Sequence, residues 1–297
     1  MASVAFSPFP DRCQPHTTLG IPVTDDLSST ETEPEKPVDT AGTGIDTTVP
    51  HSARIWNYWL GGKDNYAVDR EAGDQYKEIF PGIAVVARTS RGFLTRAVRY
   101  LAGEAGIRQF LDVGTGLPTA NNTHQVAQGV APGSKIVYVD NDPLVLAHAR
   151  ALLTSSPEGA TEYLDADIRD PAAILDTAAG LLNFTQPIAL MLMGIMGHFT
   201  DEEAYPITGR LIAGLPAGSY FALYDGANTN EAFNEAQEGY NQSGAVPYRL
   251  RSPAQFARYF EGLELVEPGV VPVPHWRPDP DAQPVEIYSY CGVARKA

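Results

Sequence analysis

Gly114 and Gly116 stand two residues apart, directly after the apolar run Phe110-Leu111-Asp112-Val113, and Leu117-Pro118 lead on into the helix-compatible stretch 119–128. An apolar strand that breaks on glycines and resumes as a helix is the geometry of a nucleotide site. Glycine lets backbone come close to a ligand, and the helix start offers N–H groups that have no partner within the helix. A turn that merely requires positive φ at either glycine reads the same way. Pro118 narrows the choice: it removes an N–H donor where a dinucleotide fingerprint often carries a further glycine, so a pyrophosphate is less well served.

Asp140 closes the next apolar run, 135–139, and lies 24 positions after Gly116. A carboxylate at that point accepts from both hydroxyls of a ribose and repels a 2′-phosphate. Asp142, immediately before Pro143, is better placed to cap the following helix, which frees Asp140 for a ligand. After the third run comes Ala166-Asp167-Ile168, where Asp167 can accept from an adenine amino group while Ile168 covers a ring face. An ordinary turn aspartate is the alternative there. Three acidic strand ends and a glycine turn on one sheet edge together specify an adenosine-like ligand.

To bring those positions to one edge, the chain must build a parallel sheet. Runs of β-formers at 109–113, 135–140, 161–165, 188–193 and 219–225 alternate with helix-patterned stretches, which predicts right-handed crossovers. Helix starts are signed by Asp142-Pro143, Asp170-Pro171, Thr200 to Glu203 and Ser252-Pro253. The last two runs, 263–266 and 286–294, have only a proline-rich connection between them, so an antiparallel final pair is expected. The fold class is α/β, a Rossmann-like doubly wound sheet of seven strands with the last antiparallel, behind an N-terminal helical cap.

At 297 residues the chain is long enough for one large domain or two small ones. Apolar residues at 43% and charged residues at 19% are globular proportions. The net charge of −15 lacks the basic footprint of a nucleic-acid or anionic-membrane binder. Residues 1–50 hold eight acids and two bases among Thr, Ser and Pro, which reads as a disordered acidic arm. The folded body is then 51–297, divided into a cap at 51–100 and a core at 101–297. Neither a secretory signal nor a run of ~18 apolar residues is present, so a cytoplasmic protein is expected. Cys13 in the arm and Cys291 in a strand-like run suggest no disulfide framework and no thiolate metal cluster.

Four phrases carry a family likeness: His51-Ser-Ala-Arg-Ile-Trp-Asn-Tyr-Trp-Leu-Gly-Gly-Lys-Asp-Asn-Tyr66, Asp112-Val-Gly-Thr-Gly-Leu-Pro-Thr119, Tyr138-Val-Asp-Asn-Asp-Pro143 and Ala166-Asp-Ile-Arg-Asp-Pro171. Over about 51–297 the chain resembles a class I S-adenosylmethionine-dependent methyltransferase. More narrowly, it resembles an actinobacterial family of such proteins long catalogued as a domain of unknown function. The resemblance implies S-adenosylmethionine as cofactor, with Asp112, Gly114 and Gly116 at its methionine end. It further implies Asp140 on the ribose with Asn141 beside it, Asp167 and Ile168 on the adenine, and Met193 and Gly194 facing the methyl group.

The fourth strand reads Ile188-Ala-Leu-Met-Leu-Met193-Gly194-Ile-Met-Gly-His198-Phe199. It holds no Asn-Pro-Pro-Tyr or Asp-Pro-Pro-Tyr signature and no acid at 191–197 to begin a magnesium site, so metal-free transfer is expected. Methyl transfer to a hydroxyl needs an acceptor held in line and a base, and His198 is the best-placed base. A histidine that only packs near the helix start at Thr200 is the competing reading; His124 and His275 are weaker candidates for the base. In the leading segment, Tyr58, Asn65 and Tyr66 are expected at the substrate pocket, whereas Ile55, Trp59 and Leu60 are spaced for a buried stripe. The segment 227–251 and the turn His275-Trp276-Arg277 are expected as acceptor walls. The acceptor is read as a small molecule taking the methyl on oxygen or nitrogen. A nicotinamide-dependent oxidoreductase and a non-catalytic S-adenosylmethionine-binding protein remain as alternatives.

Overall fold

In a strand, successive side chains leave opposite faces, and here that alternation divides the core in two. The computed structural model describes residues 46–297 other than 153 and 284, without the side chains of 149–152. Residues 1–45 of the expected arm, and Cys13 with them, lie outside the described residues.

Five parallel strands form as the runs predict: β1 (Gln109–Val113), β2 (Lys135–Asp140), β3 (Ala160–Asp165), β4 (Ala189–Met193) and β5 (Tyr220–Gly226). Phe110, Ile136, Met191 and Ala222 face one apolar cluster; Leu111, Val137, Leu190 and Phe221 face the other. Each of these buried side chains larger than Ala222 is worth about 1.5–3 kcal/mol of transfer from water.

The sheet order is β3-β2-β1-β4-β5-β8-β6, where β8 (Ser289–Arg295) runs antiparallel to β5 and to the short β6 (Glu264–Leu265). The expected antiparallel pair is therefore present. An eighth strand, β7 (Val271–Pro272), adds to the expected seven by pairing with β8. Its brevity and its proline hide it from a reading based on runs of β-formers.

The first face is covered by α1 (Ser52–Trp59), α2 (Ala67–Ile79) and α3 (Ile83–Gly103). Along α3 the buried Ile83, Val86, Ala87, Ser90, Phe93 and Leu94 recur at helical spacing. Between the strands lie α4 (Thr123–Val130), α5 (Pro143–Leu152), α6 (Pro171–Ala178), α7 (Asp201–Gly214) and, after β5, α8 (Glu231–Tyr240) and α9 (Pro253–Ala257).

The expected caps form. Asp170 accepts from the Ala173 N–H, Thr200 and Glu203 make a capping box, and Ser252 accepts from the Gln255 N–H. The helix anticipated over 119–128 begins later, at Thr123. Asn121 sits at φ +59°, and Asn122 turns its side chain back to accept from the Thr119 N–H at 3.0 Å. The glycine turn is thereby lengthened into a loop.

Candidate active site

All the loops that matter leave the carboxyl ends of the parallel strands, where an open α/β sheet binds its ligands. The turn after β1 takes Gly114 at φ +73° and Gly116 at φ +63°, a region that side chains other than glycine rarely enter. A Cβ on Gly114 would lie 2.5 Å from Ile195, so this glycine also answers to packing. A Cβ on Gly116 would meet only the Ala53 Cβ, at 3.9 Å, and its face is open.

Asp140 joins two turns. One carboxylate oxygen accepts the Gly116 N–H at 2.9 Å and the other the Asp142 N–H at 3.0 Å. Each oxygen retains a lone pair, so the group can still take two hydroxyls. Burial raises its pKa above the ordinary carboxylate value. Asp112 is buried at the end of β1, and burial pushes its pKa up to about 6 against the opposing hydrogen bond from Thr123 Oγ1 at 2.6 Å. Asp167 accepts from the Arg169 N–H at 2.9 Å and from Arg169 Nη1 at 3.2 Å, beside the buried Ile168.

These groups share a cavity of about 370 Å³. Every residue expected at the cofactor borders it: Asp112, Gly114 and Gly116 from the first turn, Asp140 and Asn141 from the second, Asp167 and Ile168 from the third, Met193 and Gly194 from the fourth. His198 borders it as well. Its Nδ1 lies 3.0 Å from the Pro247 carbonyl, which can only accept, so Nδ1 carries the hydrogen and Nε2 the lone pair. Burial lowers its pKa and favours this neutral form.

The leading segment does close the cavity, but through other residues than expected. Trp56, Asn57 and Trp59 border it; Tyr58, Asn65 and Tyr66 do not. Tyr58 donates to Asp74 at 2.7 Å, with Lys77 3.8 Å over its ring. Asn65 donates to Asn57 and to the Gly62 carbonyl, both at 3.0 Å, and Tyr66 lies under the Arg54 guanidinium at the start of α2. These three hold the cap's own shape. His51 Nδ1, 3.1 Å from Asp142 Oδ2, and His148 Nε2, 3.2 Å from Asp64 Oδ1, fasten the cap to the loop and helix after β2.

Two further expectations are corrected. His124 lies behind the wall, its Nδ1 2.9 Å from the Tyr138 hydroxyl, and His275 is exposed in a short turn off the cavity. The turn at 275–277 is no acceptor wall, because Trp276 is fully buried against Phe93 and Tyr100. The segment 227–251 does supply a wall, through Phe233, Gln237, Tyr240, Val246 and Tyr248.

Sequence reasoning missed Ser90, Arg91 and Tyr224, which also border the cavity. Tyr224 was within reach of strand alternation. Asp112 pairs with Met191 and Met193 with Tyr224, so all four share the face toward α3. Ser90 and Arg91 carry no such local signal.

A sequence profile described as S-adenosyl methyltransferase matches residues 38–297. Among solved structures, a DUF574 family protein from Streptomyces avermitilis is 46% identical over 85% of this chain and 99% of its own, with a TM-score of 0.82. A candidate methyltransferase from Thermobifida fusca is 39% identical over 85% of this chain and 97% of its own, with a TM-score of 0.79. No curated protein matches the chain.

Proposed function

The chain belongs to the S-adenosyl methyltransferase family, and from that premise we propose that the cavity at the strand ends seats S-adenosylmethionine and presents its methyl group to an oxygen or nitrogen of a small molecule. As an S-adenosylmethionine-dependent methyltransferase it leaves the nicotinamide alternative without support. The observation that carries the assignment of the site is the Asp140 carboxylate, held between the Gly116 and Asp142 amides on the cavity wall with two lone pairs to spare.

The residues present fit the cofactor. Asp140 with Asn141 would hold the ribose, and Asp167 with Ile168 the adenine. The open face of Gly116, with Asp112 and Gly114, would border the methionine end. When bound, the cofactor supplies an electrophilic methyl group on a sulfonium sulfur. Trp56 and Trp59 give the cavity wall aromatic surface, which favours a sulfonium and excludes water from the acceptor. For a hydroxyl acceptor, His198 Nε2 takes the proton that the oxygen gives up as it gains the methyl.

Residues 51–297 form the transferase domain on this reading, with 51–100 as its cap. Transfer proceeds in the cytoplasm and without a metal ion, which fractionation and an assay in chelator check. An actinobacterial source is in keeping with the two relatives. The net charge of −15 favours a small molecule over nucleic acid, and no helix among the described residues is long and apolar enough to cross a membrane.

Calorimetric titration of S-adenosylmethionine and its demethylated product into the intact protein and into Asp140→Ala tests the site. Binding by the intact protein, lost in a variant that still folds, is the expected result. No binding by the intact protein at millimolar ligand would overturn the assignment.

A further inference from the structure

Part of the cavity wall comes from helices rather than strand ends: Tyr76 from α2, Ile83, Val86 and Ser90 from α3, and Phe233 and Tyr240 from α8. Trp59 closes it near the cap, and Tyr224 stands at the junction with the strand ends, its hydroxyl 3.1 Å from where a Cβ on Gly194 would be.

The rings meet at angles. Tyr76 lies edge-on to Phe233 at 6.3 Å and to Tyr240 at 6.4 Å, and is tilted against Trp59 at 5.0 Å. Such a cluster offers both edges and faces to another ring.

Of the side chains that α2, α3 and α8 bring to this wall, Arg91 alone is charged among the described residues, and its guanidinium is engaged. Nη2 donates to Asn122 Oδ1 at 2.8 Å and Nε to the Ala120 carbonyl at 3.3 Å. Gln237 is committed through its Nε2 to Asn241 at 3.1 Å, leaving its oxygen 3.5 Å from the Tyr76 hydroxyl. The acceptors of Arg91 are neutral and leave the guanidinium charge in place, so a cationic ligand here would lose its hydration with no counter-charge to replace it.

Hydroxyls are left over, those of Tyr224 and Tyr240 among them. The Ser90 hydroxyl is fully buried on this wall and has no hydrogen-bond partner among the described residues. Buried polar groups are overwhelmingly paired, so an unpaired one on a cavity wall marks the place of a ligand atom.

We propose that this part of the cavity is the acceptor subsite, and that the acceptor is a planar aromatic molecule without a positive charge, bearing a hydrogen-bonding group that pairs with the Ser90 hydroxyl. The inference rests on the cofactor reading above, which places the methyl group at Met193 and Gly194, next to Tyr224.

The test uses the full chain saturated with the demethylated cofactor product, and three probes: 2-naphthol, 2-(aminomethyl)naphthalene, which is a cation at neutral pH, and decahydro-2-naphthol, which has the hydroxyl but no aromatic ring. Calorimetry is expected to show 2-naphthol binding about tenfold or more tighter than 2-(aminomethyl)naphthalene and measurably tighter than the saturated alcohol. Ser90→Ala and Phe233→Leu are each expected to weaken 2-naphthol about fivefold or more, with the affinity for the cofactor product unchanged. The wild-type comparison among probes holds even where a variant fails to fold. Equal or tighter binding of 2-(aminomethyl)naphthalene or of the saturated alcohol would overturn the inference, as would no binding of 2-naphthol to the loaded protein. If the cofactor product itself does not bind, the reading of the site falls, and the inference with it. If it binds and 2-naphthol does not, only the inference falls.

Discussion

Tyr248 donates its hydroxyl hydrogen to Asp225 Oδ1 at 2.6 Å, while its oxygen accepts the Gly226 N–H at 3.2 Å. The loop after α8 is thereby tied to the end of β5. The same ring stands edge-on to His198 at 5.1 Å and fills the space that a Cβ on Gly197 would need. Together with the bond from His198 to the carbonyl of Pro247, this makes one loop the support of the proposed base.

Tyr248→Phe removes a donor from a buried carboxylate and an acceptor from a backbone amide. A loss of about 1–3 kcal/mol is expected, read as a lower urea midpoint with an unchanged slope. A variant as stable as the parent would show that the contact contributes nothing.

Burial pushes Asp225 up to about 7, against the hydrogen bond from Tyr248 and the charge of Arg251. The folded state thus holds a proton that the unfolded state has already released above pH ~4. This group's contribution to stability is greatest at low pH, declines as pH rises from about 4 to about 7, and is level above that. Asp225→Asn, which cannot titrate, should gain on the parent by a few kcal/mol, in order of magnitude, across that window. Urea midpoints of both proteins at each pH give the difference; a gap that stays constant with pH counts against the shift. Asp112, raised to about 6, acts with the same sign over a narrower window.

His198→Ala should lower kcat by about a hundredfold or more for a hydroxyl acceptor, with cofactor affinity kept within about twofold. Because burial depresses the imidazole pKa, the rise of kcat with pH should have its midpoint below that of an ordinary histidine, and the rate should be level at neutral pH. An unchanged kcat would leave the imidazole only its contact with Pro247.

The two turn glycines should separate stability from binding. Gly114→Ala meets both strain at φ +73° and Ile195 at 2.5 Å, so it should destabilise by about 1–3 kcal/mol. Gly116→Ala meets strain but open space, so its loss of stability should be the smaller of the two. A methyl group on that face would instead intrude on the cofactor, and affinity should fall about tenfold or more. Thermal melting and calorimetry on the pair decide; equal cofactor affinity in Gly116→Ala and the parent would move the ligand off this face.

Local spacing by itself determined the five parallel strands, the glycine turn, Asp140 as the acid after the second strand, and most of the helix caps. A strand alternates every residue and a cap acts within four, so both are written in adjacent letters. The positions from Asp112 to Gly194 that the family resemblance assigns to the cofactor come to one cavity because each ends a strand or follows one, and parallel strands bring their ends to one edge. Only the tertiary structure decided which residues of 51–66 border that cavity. Helix α1 is packed on more than one side, so its apolar stripe cannot say that Trp56, Asn57 and Trp59 turn to the cavity while Tyr58 turns to Asp74. Of the proposed acceptor wall, the segment 227–251 with Phe233 was legible and the rest was hidden. Tyr76 and Ser90 come from helices distant from it in sequence, and their juxtaposition with Phe233 depends on how α2 and α3 pack against α8 and the sheet, a relation that no local pattern encodes.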